Sequence, residues 1–167
     1  MSRAIVIRGP AGIGKTATAI ALAEILYGEL ISLDRIRQQN GLVRYLTYFA
    51  PYQVETTVAQ LAAEQAKVHL VAQKPVVIEG VFLSQSVLNT LARSLGNFPM
   101  EVVNVKASWE TVCSRNKGRP PENYVPEDKL ERLFQLDAQI RTGVCIQTDK
   151  MNRQEMVDAI LQSINHT

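Results

Sequence analysis

The residues whose types and spacing most directly imply chemistry are Gly9-Pro10-Ala11-Gly12-Ile13-Gly14-Lys15-Thr16, which satisfy the pattern G-x-x-x-x-G-K-[ST] without a mismatch. Gly9, Gly12 and Gly14 permit backbone conformations and close approaches that a side chain would block. Successive amides can then turn inward as an anion nest. A helix opening near Lys15 adds unpaired N–H groups and the positive end of its dipole. Lys15 is placed for the β- and γ-phosphates of a nucleotide, and the Thr16 hydroxyl for Mg²⁺. Ile13 and Thr18 complete this set of binding positions. A glycine-rich turn with an incidental lysine is the competing reading, but a buried strand before the loop and a helix after it favour phosphate.

In open parallel sheets ligands bind at the carboxyl ends of strands, which brings Asp34 and Glu79 towards the same place as the loop. Asp34 closes the apolar run from Leu30 to Leu33 and could accept a proton from an incoming hydroxyl. It could equally cap a helix starting at Arg35, and the phosphate loop in the same chain tips the balance to catalysis. Glu79 follows Pro75-Val76-Val77-Ile78. It is either a water-mediated Mg²⁺ contact or a loop carboxylate without a role. Arg115 and Arg119, four residues apart before Pro120-Pro121, could clamp a nucleotide and stabilise charge on a transferred phosphoryl group. The alternative is that they complement a helix dipole.

These groups need elements to position them. Ala4 to Ile7, Leu30 to Leu33, Pro75 to Ile78, Val102 to Val105 and Val144 to Gln147 read as five short strands. Helical patterns cover residues 16–27, 36–49, 51–73, 84–95, 109–116, 127–140 and 153–164. Strands alternating with helices predict a parallel sheet covered on both faces. The 167 residues suit one domain, and 46% hydrophobic with 20% charged residues excludes disorder and coiled coil. A net charge of +2 argues against bulk attraction to nucleic acid or membrane. The apolar run at the start, Ala4 to Ile7, is too short for a signal segment or a spanning helix. Cys113 and Cys145 stand alone, without a disulfide or zinc pattern. A soluble, cytoplasmic protein is expected.

Together these motifs resemble the P-loop kinase superfamily, in its adenylate-kinase-like branch. Gly9-x-x-Gly12-x-Gly14-Lys15-Thr16 is the kinase-style loop, and Arg115-x-x-Gly118-Arg119 is similar to the arginine pair at the lid of those enzymes. The resemblance implies an α/β, three-layer P-loop NTPase fold with a five-stranded parallel sheet in the order 2-3-1-4-5. It implies one domain over residues 1–167, with a small mobile lid at about 116–132, and adenine enclosed by Arg115 and the Thr148-Asp149-Lys150-Met151 segment. Asn116-Lys117 lacks the Asp that would read guanine, so ATP is the expected nucleotide. Within the branch, Ile31-Ser32-Leu33-Asp34-Arg35-Ile36-Arg37 looks most like polynucleotide 5′-hydroxyl kinase. Its Asp is a general base, and an Arg three residues later lies near the acceptor or the transferred phosphate. Chloramphenicol phosphotransferase and the zeta-toxin kinases share a similar Asp.

The expected protein is therefore an ATP- and Mg²⁺-dependent kinase acting on a hydroxyl of a small molecule or a polynucleotide 5′ end. Lys15, Asp34, Arg37 and Arg119 would be catalytic. Arg35, Arg37 and Arg44 lie in a stretch free of acidic residues up to Val54 that also carries Tyr45, Tyr48, Phe49 and Tyr52. This basic, aromatic stretch could hold an anionic, base-bearing acceptor. The same i, i+3, i+4, i+7 spacing is that of a stripe packed into the core, which is the favoured reading. No membrane partner is expected. The alternative function is a nucleotide-dependent regulatory ATPase or switch without an acceptor, although the Asp-Glu pair of water-activating ATPases is missing.

Overall fold

In the computed structural model, which describes residues 2–42 and 52–165, the first strand runs Ala4–Arg8 (β1) and is buried along its whole length. A β-branched run without charges until its last residue suits the centre of a sheet covered on both faces. The other strands are Glu29–Ser32 (β2), Val76–Gly80 (β3), Met100–Lys106 (β4) and Val144–Gln147 (β5). They form one sheet in the order β2-β3-β1-β4-β5, with every pairing parallel. This is the order that the resemblance implied. The register sets Ser32 beside Glu79, Ile7 beside Glu79, and Arg8 between Gly80 and Asn104. The carboxyl ends of β1, β2 and β3 are thereby level.

Among the described residues seven α-helices cover the sheet: Lys15–Ile25 (α1), Leu33–Gln39 (α2), Tyr52–Val71 (α3), Gln85–Leu95 (α4), Trp109–Lys117 (α5), Glu127–Ala138 (α6) and Arg153–Asn165 (α7). Alternate residues of β1 divide between two cores. Ala4 and Val6 pack with the buried faces of α3 and α4, whereas Ile5 and Ile7 pack with those of α1, α6 and α7. The alanines at 59, 62, 63 and 66 let α3 lie close to its neighbours. Local capping fixes the helix starts. Ser84 and Ser108 each accept a bond from an amide three residues on. Asn152 and Glu155 satisfy one another's amides at the head of α7, as in a capping box.

The second helix departs from expectation. It starts at Leu33, three residues earlier than predicted, and stops at Gln39. Leu33 and Ile36 are both buried and share one helical face, which draws Asp34 into the first turn instead of leaving it on the strand end. Gly41 follows with φ 66°, a left-handed conformation that favours glycine and terminates the helix. Arg44, Tyr45, Tyr48, Phe49 and the latter part of the predicted helix lie outside the described residues. Of the aromatic stripe, Tyr52 is described and is not core. It is half exposed, and its hydroxyl hydrogen-bonds the Ser86 hydroxyl at 2.8 Å.

A polar cluster behind β1 was not anticipated. Arg8 is fully buried and bonds the side chains of Asn104 and Asp137, while Lys106 Nζ reaches Asp137 Oδ2 at 2.6 Å. Burial pushes the Arg8 guanidinium below its usual range, and Asp137 opposes that shift. Asp137 lies in the last turns of α6, so the cluster ties that helix to the strand feeding the glycine loop. Asp137→Ala would strand a buried guanidinium. It should destabilise the protein by about 3–5 kcal/mol, read as a lower midpoint in denaturant with an unchanged slope.

Candidate functional site

The loop between β1 and α1 is built by its glycines. Gly12 and Gly14 have φ of 78° and 97°, and Gly14 caps α1 in the left-handed region. At Gly9 a Cβ would stand 2.4 Å from the Val105 carbonyl oxygen, so strand β4 itself demands glycine there. The loop borders a cleft of about 310 Å³ that is also lined by Lys15, Thr16, Asp34, Glu79, Gly80 and Arg119. Residues far apart in sequence thus meet because β1, β2 and β3 end level and α1 starts at the same edge.

Lys15 is buried, and its Nζ donates to the Pro10 carbonyl at 2.7 Å. Desolvation pulls its pKa below the usual lysine range; the nearby Glu79 and Asp34 carboxylates oppose the shift. Thr16 Oγ1 donates to Glu79 Oε2 at 3.3 Å. Glu79 stands inside β3, which extends to Gly80, rather than in a loop after it. A hydroxyl and a carboxylate side by side form the hard oxygen donor set that Mg²⁺ prefers. Arg119 Nη1 is buried beside the glycine loop without a hydrogen-bond partner, and the side chain passes close to Gly12. A glycine-rich turn with left-handed backbone at Gly12 and Gly14, a buried ammonium and an unpaired guanidinium nitrogen together fit a polyphosphate.

The remaining candidate residues, Ile13, Thr18, Arg37 and Arg115, are not among those that line this cleft. Thr18 is buried and bonds back to the Gly14 carbonyl at 2.9 Å. The Ile13 side chain is buried, and its carbonyl accepts from Arg115 at 3.3 Å. The same guanidinium bonds Thr148 Oγ1 at 3.2 Å and the Thr148 carbonyl at 2.7 Å, so Arg115 laces the loop to the turn after β5. Arg37 pairs with Asp34 and with Glu55. Asn116 donates to the Val125 carbonyl and accepts from the Val125 amide, fastening both ends of the segment that carries Arg119.

Glu55 and Asn116 were missed as site-building residues. A signal for Glu55 did exist, because it is the first acid after the acid-free stretch from Arg35 to Val54. No local pattern marks Asn116.

The comparisons with known proteins bear on this geometry. A family model described as an AAA domain matches residues 5–141. The chain belongs to the AAA domain family. No curated protein matches the sequence. Among solved structures, this AAA domain is similar to a sugar kinase from Janibacter sp. HTCC2649, with a TM-score of 0.78, 15% identity and coverage of 99% of this chain and 95% of that one. It is similar to a gluconokinase from Sinorhizobium meliloti 1021 at TM-score 0.74 and 18% identity, covering 98% and 92% of the two chains. It is also similar to the Mycobacterium tuberculosis APS kinase CysC, solved with AMPPNP and APS, at TM-score 0.76 and 9% identity, covering 98% of each. At such identities the likeness is one of fold. Among the described residues no helix is long and apolar enough to cross a membrane.

Two outcomes follow from the electrostatics of the AAA domain. Replacing Lys15 with Met removes a buried charge whose desolvation the carboxylates only partly offset. Calorimetry of the protein without added nucleotide should then show a Tm unchanged or raised, by about 2–4 °C per kcal/mol regained, while triphosphate binding is lost. Asp149 accepts bonds from the Ser108 amide and hydroxyl, the Thr111 hydroxyl and Gln147, which hold its carboxyl below the usual aspartate range. A depressed carboxylate pKa contributes stability above the unfolded value that disappears as pH falls towards the folded one. Asp149→Asn should therefore be less stable than the unaltered protein at pH 7. The gap should close as unfolding is measured at pH values falling from about 4.

Proposed function

We propose that this protein is an ATP- and Mg²⁺-dependent kinase that transfers the γ-phosphoryl group to a hydroxyl of a small molecule. The observation that carries the proposal is that Asp34 lines the cleft of the glycine loop together with Lys15 and Arg119. Phosphate cradling alone would serve hydrolysis or switching, whereas a carboxylate facing the phosphate end also serves an incoming hydroxyl. Similarity of fold to a sugar kinase and a gluconokinase supports an acceptor of that class.

The amides of the loop would bind the triphosphate, with Lys15 at the β- and γ-phosphates. Thr16 would hold Mg²⁺ directly, with Glu79 behind it; the ion would neutralise charge on the phosphate oxygens. Asp34 would orient the hydroxyl and receive its proton as the oxygen attacks phosphorus and the bond to the ADP oxygen breaks. Arg119 would stabilise the charge spread over the transferred group. Closure of the segment at about 116–132, which carries Arg119, would exclude water.

Asp34→Asn should lower kcat by at least about 100-fold with little change in nucleotide affinity, measured with γ-labelled ATP. The screen of acceptors should include polyols, sugars and 5′-hydroxyl oligonucleotides. Label released only as phosphate, with no acceptor modified, would favour a switch over a kinase. An oligonucleotide as the sole labelled acceptor would move the substrate to polynucleotide ends.

A further inference from the structure

Arg37 was expected near the acceptor, yet only 3% of its side chain is exposed, against 62% for Asp34. Its Nη1 donates to Asp34 Oδ1 at 2.8 Å. Its Nη2 and Nε donate to the two oxygens of Glu55 at 2.6 and 3.3 Å. Glu55 stands in the first turn of α3 and is itself buried. Burial pushes its carboxyl above the usual range, and Arg37 pulls it back. A carboxylate–guanidinium–carboxylate chain therefore links α3 to α2. Of its three members, Asp34 is the one that lines the cleft.

We propose that Glu55 is a positioning residue for phosphoryl transfer, holding and charge-balancing Arg37 so that Arg37 can aim Asp34 at the acceptor hydroxyl without weakening it as a base. The inference rests on the kinase reading above. A carboxylate beside an unbalanced cation binds protons less readily. Glu55 supplies a second negative charge, so the group carries a net −1 rather than zero. The two-point contact with Glu55 also fixes the plane of the guanidinium, as fork-to-fork pairs do. That plane in turn sets where Asp34 Oδ1 is held, and Oδ2 remains to take the proton. Without Glu55 the buried guanidinium would have Asp34 as its nearest anion and would draw it in.

Among the described residues, the other charged groups that line the cleft with Asp34 come from α1, β3 and the segment after α5: Lys15, Glu79 and Arg119. On the opposite flank of α2, Arg35 lines a separate groove with Glu29 and His69. Substitution at Glu55 leaves all of these in place, so a change in the pH profile reports on the Arg37–Asp34 contact.

The test measures kcat, the KM for ATP and the pH profile of kcat with the best acceptor from the screen. Glu55→Gln should lower kcat about tenfold, change the KM for ATP less than about twofold, and move the acid limb to lower pH. The single variant strands a buried charge and could fail to fold. The double variant Arg37→Gln with Glu55→Gln has no such charge. It should fold and move the acid limb to higher pH, because Asp34 loses its cation. In an Asp34→Asn background, Glu55→Gln should change the residual kcat less than about twofold, since the two act through one group. Acid limbs that coincide with that of the unaltered protein in both Glu55 variants would overturn the proposal. So would a full tenfold loss in the Asp34→Asn background, which belongs to a purely structural role. An unaltered protein that transfers phosphate to no acceptor would instead overturn the kinase reading, and this inference with it.

Discussion

A positive charge buried at the head of a helix governs the architecture around the cleft. An ammonium taken out of water is tolerated only where hydrogen bonds and opposite charges surround it. Lys15 has the Pro10 carbonyl on its own loop, with Glu79 from β3 and Asp34 from α2 close enough to oppose its desolvation. Those carboxylates arrive because β3 lies beside β1 and β2 beside β3, all parallel and ending level. Strand order is thus an electrostatic requirement of the site as well as a packing solution. A different neighbour for β1 would take Glu79, the first of these anions, away from the lysine.

A second buried cation lies seven residues earlier, at the end of β1, and shares an anion with the first, since Asp137 acts on both Arg8 and Lys15. Arg8 is held by Asp137 and Asn104, and Asp137 is shared with Lys106. The first charge centre belongs to the cleft; the second binds α6 to the central strands. Since α6 follows the segment bearing Arg119, the two centres constrain the loop from β1 and the segment from α5 with respect to one another. The lacing of Ile13 to Thr148 by Arg115 adds a third tie in the same region.

Much of this was legible in the sequence because it rests on short-range pattern. The glycine loop declares itself within eight residues, and five apolar runs mark five strands, whose order came from the family resemblance. Asp34 and Glu79 were legible as residues at strand ends, although α2 begins earlier because Leu33 joins Ile36 on its buried face. What was not legible depends on partners remote in sequence. Arg37 reads as an acceptor-side cation until Glu55 on another helix is seen to neutralise it. Asn116 reads as part of a basic cluster, whereas its amide is committed to the Val125 backbone. Arg8 ends an apolar strand like any charged terminator, yet its guanidinium turns inward because Asp137, far along the chain, meets it there.

The paired bonds between Asn116 and Val125 carry a consequence for how the chain can vary. They close residues 117–124 into a small ring whose two ends are pinned to one buried amide side chain. Changes of length or composition inside that ring leave both anchor points, and the helices beyond them, undisturbed. The arginine-bearing tip is therefore an exchangeable cassette: a designer could graft longer or differently charged tips between a fixed asparagine and a fixed valine, altering what the cleft admits while the scaffold beneath keeps its shape.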